Sequence, residues 1–212
     1  MADPTSFPGD IIVAGNIRVN GRISPPIAKA SILALAELQA FPIPLTNFRV
    51  WDAMQTNLPG TPSSDDLGLV GGTFGTATPS IRTEDLKAAG ATSKYARVLV
   101  QLPWEYEAGQ TVKIRLKAGM ITTISDTTAT IDVEAYKLQG DPDDAIGSDL
   151  VSTAATTINS TTFADIDFTV TPSSLSPGDI LDVRVKIAIN DGATATAVIG
   201  AFTSAKLVCD VR

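Results

Sequence analysis

Six stretches of this chain alternate apolar and polar residues with a period of two, and that pattern leaves few folds open. Ala96, Val98, Val100, Leu102 and Trp104 alternate with Tyr95, Arg97, Leu99 and Gln101. Val112, Ile114, Leu116 and Ala118 alternate with Lys113, Arg115 and Lys117, and Ala129, Ile131, Val133 and Ala135 with Thr130, Asp132 and Glu134. The same holds for Ala164 to Val170, for Leu181 to Ile189 and for Ala205 to Val211. Successive side chains of an extended chain point to opposite faces, so each run predicts a half-buried antiparallel strand. Turn residues separate the runs: Glu107-Ala108-Gly109, Gly140-Asp141-Pro142, residues 172–178 and Asn190-Asp191-Gly192. Strands at this spacing predict an all-β, antiparallel two-sheet sandwich. Adding residues 67–74 and a short strand near 148–152 gives about eight strands, the number of a jelly roll, with an immunoglobulin-like sandwich as the competing topology. Residues 109–117 (GQTVKIRLK) echo residues 178–186 (GDILDVRVK), each a turn glycine ahead of a strand with basic outer residues.

The chain divides by composition into an N-terminal arm (1–46), a transitional segment with the first sandwich strand (47–93) and the sandwich proper (94–212). In the arm, Ile11 to Val19 reads as a strand and Asn20-Gly21 as a hairpin turn, because both residues tolerate positive φ. Residues 27–41 place Ile32, Leu35 and Leu38 at helical spacing, which predicts a short helix, apolar on most faces. Such a helix is unstable alone in water and must dock on the sandwich, on another copy or on a partner. In the transitional segment, residues 47–51 read as a short strand and residues 83–87 as one helical turn.

Composition narrows the function. Net charge is −7 and the chain has no run of Lys or Arg, so neither nucleic acid nor an anionic membrane is an expected partner. No apolar run approaches the ~18 residues that a membrane helix requires. Met1-Ala2-Asp3-Pro4 lacks a basic region followed by an apolar stretch, so no signal peptide is expected and folding in a cytosol is. Cys209 is the one cysteine, and its neighbours Leu207, Val208 and Val211 predict a buried, inert thiol.

Reactive constellations are scarce. The chain has no histidine, which removes Ser-His and Cys-His nucleophile pairs and the commonest transition-metal ligand. Gly68, Gly71, Gly72 and Gly75 are read as a turn or bulge rather than a phosphate cradle, since no helix-forming segment follows closely. Asp65, Asp66, Glu84, Asp85, Glu105 and Glu107 offer carboxylates for glycoside hydrolysis, but nothing selects a facing pair. Asp141, Asp143, Asp144 and Asp149 supply hard oxygens, yet the EF-hand offsets are absent and a solvated loop is the reading. No enzyme activity, cofactor or metal is therefore expected. Trp104 and Tyr106, beside Glu105 and Glu107, are the candidate stacking faces for a glycan, although Trp104 falls in phase with the buried alternation. Trp51 is expected at one end of the sandwich or at a subunit contact.

Residues 7–23 (FPGDIIVAGNIRVNGRI), the Ala/Leu-rich stretch 27–40, the strand Ser176 to Val185 and the apolar C-terminal run together resemble tailed-bacteriophage capsid decoration proteins of the cement or head-fibre type. The resemblance implies an N-terminal arm leading into a small β-sandwich, often trimeric, on the surface of a virion. It implies a major capsid protein or another virion protein, together with sibling subunits, as partners. On that reading Ile11, Ile17, Ile32, Leu35 and Leu38 are the expected contacts, each contributing ~1.5–3 kcal/mol when buried. The alternative is a receptor- or glycan-binding module of a phage fibre or tail, using Trp104 and Tyr106.

Overall fold

The computed structural model describes residues 37–62, 64–122, 128–192 and 196–211. Every run of period-two alternation forms a strand. These are β4 (Gly90–Gln101), β5 (Val112–Met120), β6 (Thr128–Lys137), β8 (Ala164–Val170), β9 (Ile180–Asp191) and β10 (Gly200–Val211). Four shorter strands complete the described set: β1 (Glu37–Ile43), β2 (Gly68–Val70), β3 (Ser80–Arg82) and β7 (Thr156–Thr157). One sheet runs β2-β3-β10-β5-β8, with β1 also on β10, and the other runs β4-β9-β6-β7. All their pairings are antiparallel.

The order of these strands decides the topology. From β3 to β10 the chain crosses between sheets at every connection except β6 to β7. The last two strands interleave among β3 to β6, β10 between β3 and β5 and β9 between β4 and β6. An immunoglobulin sandwich instead keeps several successive strands side by side in one sheet. The winding is that of a jelly roll.

The core fills the space between the inner faces. Val98, Leu116, Val133, Phe168, Val183, Val185 and Leu207 are each at most 2 % exposed. Phe48 packs edge-on against Phe202 with ring centroids 5.4 Å apart, extending the core past the strands. Lys94 breaks the inner pattern of β4 but is paired: its ammonium donates to Ser64 O and meets Glu84 Oε1 at 2.5 Å. The two echoing segments become central strands of opposite sheets, and their leading glycines share one backbone state, φ 80° at Gly109 and 81° at Gly178.

Several expectations need correction. The helix expected over 27–41 is strand in its described part, because residues 37–43 pair with β10 from Glu37↔Val211 to Ile43↔Ala205. Gln39, Phe41 and Ile43 share a face with core-facing Cys209, Leu207 and Ala205, while Leu38, Ala40 and Pro42 face outward. Both faces carry apolar residues, which hid the period of two. Pro42 is tolerated because β1 lies at an edge. The arm boundary at 46 therefore cuts through sandwich structure. The rest of that helix and the Asn20-Gly21 hairpin lie outside the described residues.

Residues 47–51 do not form the expected strand: Leu45–Asn47 is a 3-10 turn, and Arg49 makes isolated bridges to Asn57 and Arg97. Residues 83–87 are not helical. Instead Asp85 Oδ1 accepts the backbone N–H groups of Lys87 and Val198, fixing a loop. The strand expected near 148–152 is reduced to a single bridge, Val151 to Val170.

The transitional segment has a definite task. The outer edge of β4 would expose unpaired backbone groups, an invitation to aggregation. Arg49 and Arg97 exchange N–H···O bonds of 2.8 and 3.0 Å there. Tyr95 donates to Asp65 O and accepts from Leu67 N–H, both at 2.8 Å. The same cover carries Trp51 onto the outer face of the β4-β9-β6 sheet.

Candidate functional site: a trough on one sheet face

Strand register places outward side chains in rows across β4, β9 and β6: Tyr95-Lys186-Asp132, Arg97-Arg184-Glu134 and Leu99-Asp182-Tyr136. Opposite charges in neighbouring positions pair. Arg97 Nε donates to Asp182 Oδ1 at 2.7 Å, and its Nη2 donates to Oδ2 of the same carboxylate. Arg184 Nε and Nη2 both donate to Glu134 Oε2, at 2.9 and 2.5 Å. Lys186 Nζ lies 3.3 Å from Asp132 Oδ2. The Asp182 carboxylate raises the pKa of the Arg97 guanidinium further, so Arg97 keeps its charge at all ordinary pH values.

Two loops wall this floor. From the β4 side Trp51 stands over the sheet, its ring 5.1 Å from that of Tyr95 and 5.3 Å from the Arg184 guanidinium carbon. Its indole Nε1 donates to Asp65 Oδ2 at 2.9 Å, which holds the ring in place. From the β6 side the loop after Leu138 brings in Ile146, 43 % exposed. Between the walls lies a trough of about 310 Å³ bounded by Trp51, Asp52, Ile146 and Tyr136 over the two arginine–carboxylate pairs. That volume is at the lower end of small-ligand sites. A larger hollow of about 620 Å³ is the inside of the single loop 71–79, with no ionisable residue in its lining.

The sequence-derived candidates fare differently. Leu38 is described and 54 % exposed, on the outer face of its sheet opposite Asp210. Ile11, Ile17, Ile32 and Leu35 lie outside the described residues. Trp104 is 76 % exposed rather than buried, because β4 stops at Gln101 before Pro103 and the alternation does not reach it. Tyr106 is 2 % exposed, with its hydroxyl donating to Gln110 O at 2.9 Å, so it has no face to offer a ligand. The two aromatics thus do not form a joint stacking surface. Trp51 sits on a sheet face, not at the end of the sandwich.

The acidic loop is used for turns. Asp141 Oδ1 accepts Asp143 N–H, and Asp149 Oδ1 accepts the N–H groups of Ala135 and Val151, both at 2.9 Å. Among the described residues no three acidic or cysteine side chains converge as metal ligands would. No helix among them is long and apolar enough to cross a membrane. Sequence reasoning missed the trough because its parts come from positions 51, 97, 134, 146 and 182–184. The available signal was the charge alternation of the outer positions of β4, β6 and β9, which are complementary strand to strand.

No family model and no curated protein matches the sequence. Among solved structures the chain is similar to the CBM22-1 xylan-binding domain of Paenibacillus barcinonensis Xyn10C, at 10 % identity and TM-score 0.38, over 84 % of this chain and 96 % of that one. It is also similar to a chain of the infectious bursal disease virus Gx strain, at 12 % identity and TM-score 0.39, over 83 % of this chain and 32 % of that one. A third similarity is to the enzymatically active domain of bacteriophage CBA120 tailspike protein 4, at 10 % identity and TM-score 0.35, over 84 % of this chain and 20 % of that one. Likenesses this distant bring no function with them, and the jelly roll rests on the strand order given above.

Proposed function

We propose that this chain is a non-catalytic structural protein of a phage particle, a jelly roll held on the capsid surface as a cement or decoration protein by its N-terminal segment. One observation carries the reading: the hydrophobic core is assembled among the described residues from Ile43 to Val211. The apolar side chains of the preceding segment, Ile11, Ile17, Ile32 and Leu35, are the ones this reading assigns to a contact with a shell or with sibling subunits. Exposed Leu38, at the start of β1, extends the same apolar character onto the sandwich edge. The absence of histidine from the sequence and the engagement of Asp182, Glu134 and Asp167 in cross-strand ion pairs favour a structural task over a catalytic one.

The test is to remove residues 1–36 and compare mass in solution, thermal melting and co-sedimentation with capsid shells. The reading expects the full chain to be a homo-oligomer, a trimer in the simplest case, that sediments with shells. It expects the shortened chain to melt at nearly the same temperature while losing oligomerisation or shell binding. A monomeric full chain that ignores shells, or a shortened chain that no longer folds, refutes it.

A further inference from the structure

We infer that the trough on the β4-β9-β6 face is a binding site for a neutral glycan chain, a reading independent of how the protein is anchored. Its two floor ion pairs cancel, and the Asp52 carboxylate is the one charge left over in the lining. Arg97 is committed to Asp182 and Arg184 to Glu134, with Asp52 at the rim. An anionic ligand meets three carboxylates there and a cationic one meets two guanidinium groups, so an uncharged polar ligand is the class that fits.

The second pair is only half used within the protein. Both Arg184 donors go to the single oxygen Oε2 of Glu134. Among the described residues Glu134 Oε1 and Arg184 Nη1 make no further hydrogen bond, so an acceptor and a donor stand side by side. That is the arrangement two neighbouring hydroxyls of a sugar ring take up, one donating to a carboxylate and the other accepting from a guanidinium. Trp51, Tyr136 and Ile146 supply apolar surface for the C–H face of the ring. The ion pairs and the Trp51–Asp65 bond fix these groups before any ligand arrives, which lowers the entropy cost of binding.

The experiment is native affinity electrophoresis of the full chain in gels containing soluble neutral polysaccharides (hydroxyethylcellulose, glucomannan, xylan and dextran) and, separately, polygalacturonate. Retardation by at least one neutral polymer but not by polygalacturonate is expected. Tyr136→Ala should weaken it about tenfold or more with an unchanged melting temperature, whereas Trp104→Ala leaves it intact. If Tyr136→Ala fails to fold, Ile146→Arg on the exposed loop makes the same test. Retardation by no neutral polymer, by polygalacturonate alone, or abolished by Trp104→Ala but not by the trough variants, overturns the inference.

Discussion

The fully buried carboxylate of Asp191 accepts a 2.7 Å hydrogen bond from the backbone N–H of Ala88, 103 residues earlier in the chain. Ala88 sits at φ 54°, in the left-handed region that non-glycine residues avoid. The bond anchors the turn that leads into β4 to the end of β9. Asp191→Ala leaves the Ala88 N–H without that acceptor, and a loss of about 1–3 kcal/mol is expected. Denaturant unfolding of the two proteins measures it.

Asp66 and Asp167 should respond to acid in opposite senses. Burial, followed by the nearby charges of Asp65 and Asp52, raises the pKa of Asp66, so the folded state binds that proton more tightly than the unfolded chain does. Its charge therefore costs stability at neutral pH, and the cost is relieved as pH falls through the raised value. Asp66→Asn should stabilise the protein at pH 7 by about 0.5–1 kcal/mol, with the advantage over the parent shrinking as pH falls through the raised folded value and gone below the unfolded value of 3.8.

The Arg115 guanidinium, helped by Lys113, lowers the pKa of Asp167. Its contribution is present above the unfolded value of 3.8 and is lost as pH falls through the lowered folded value. The pair is partly solvated, so Asp167→Asn should cost only about 0.5–1 kcal/mol at pH 7 and close to nothing at pH ~2. Thermal melting across pH 2–7 separates the two carboxylates.

Gly109 and Gly178 make a matched comparison. Both have φ near 80°, but a Cβ at Gly109 meets nothing within 4 Å whereas one at Gly178 lies 2.8 Å from the Trp104 ring. Gly109→Ala should cost about 1–2 kcal/mol of backbone strain alone. Gly178→Ala should cost more, and Trp104→Ala in the same chain should recover the excess. Unfolding free energies of the parent, Gly178→Ala, Trp104→Ala and the double variant form a double-mutant cycle.

Cys209 is buried in β10, and burial pushes its thiol up to about 11. At pH 8 the native protein should therefore resist an aromatic disulfide reagent for hours, while the denatured chain reacts with one equivalent within minutes. Absorbance of the released thiolate follows both.

How much of this was legible in the sequence depends on which face of each strand carried the information. β9 declared itself, because Leu181, Val183, Val185, Ile187 and Ile189 are apolar and Asp182, Arg184 and Lys186 among them are charged. β1 did not, because Leu38 and Ala40 on its outer face are as apolar as Phe41 on its inner one, and a 3.6-residue period fits equally well. β3 was too short to show any period. The trough was hidden for a different reason. Arg97, Glu134 and Asp182 each look like ordinary wet-face residues until strand register sets them side by side, and register is a long-range property that spacing along the chain does not encode.

Because Glu37 stands directly opposite Val211 in the β1–β10 ladder, the first and last described strands meet at one corner of the sheet. The backbone therefore enters β1 and leaves β10 at the same corner. The closeness of the two strand ends also means that this jelly roll can be grafted into a surface loop of a host protein as a pendant insert, with little separation for the host to bridge.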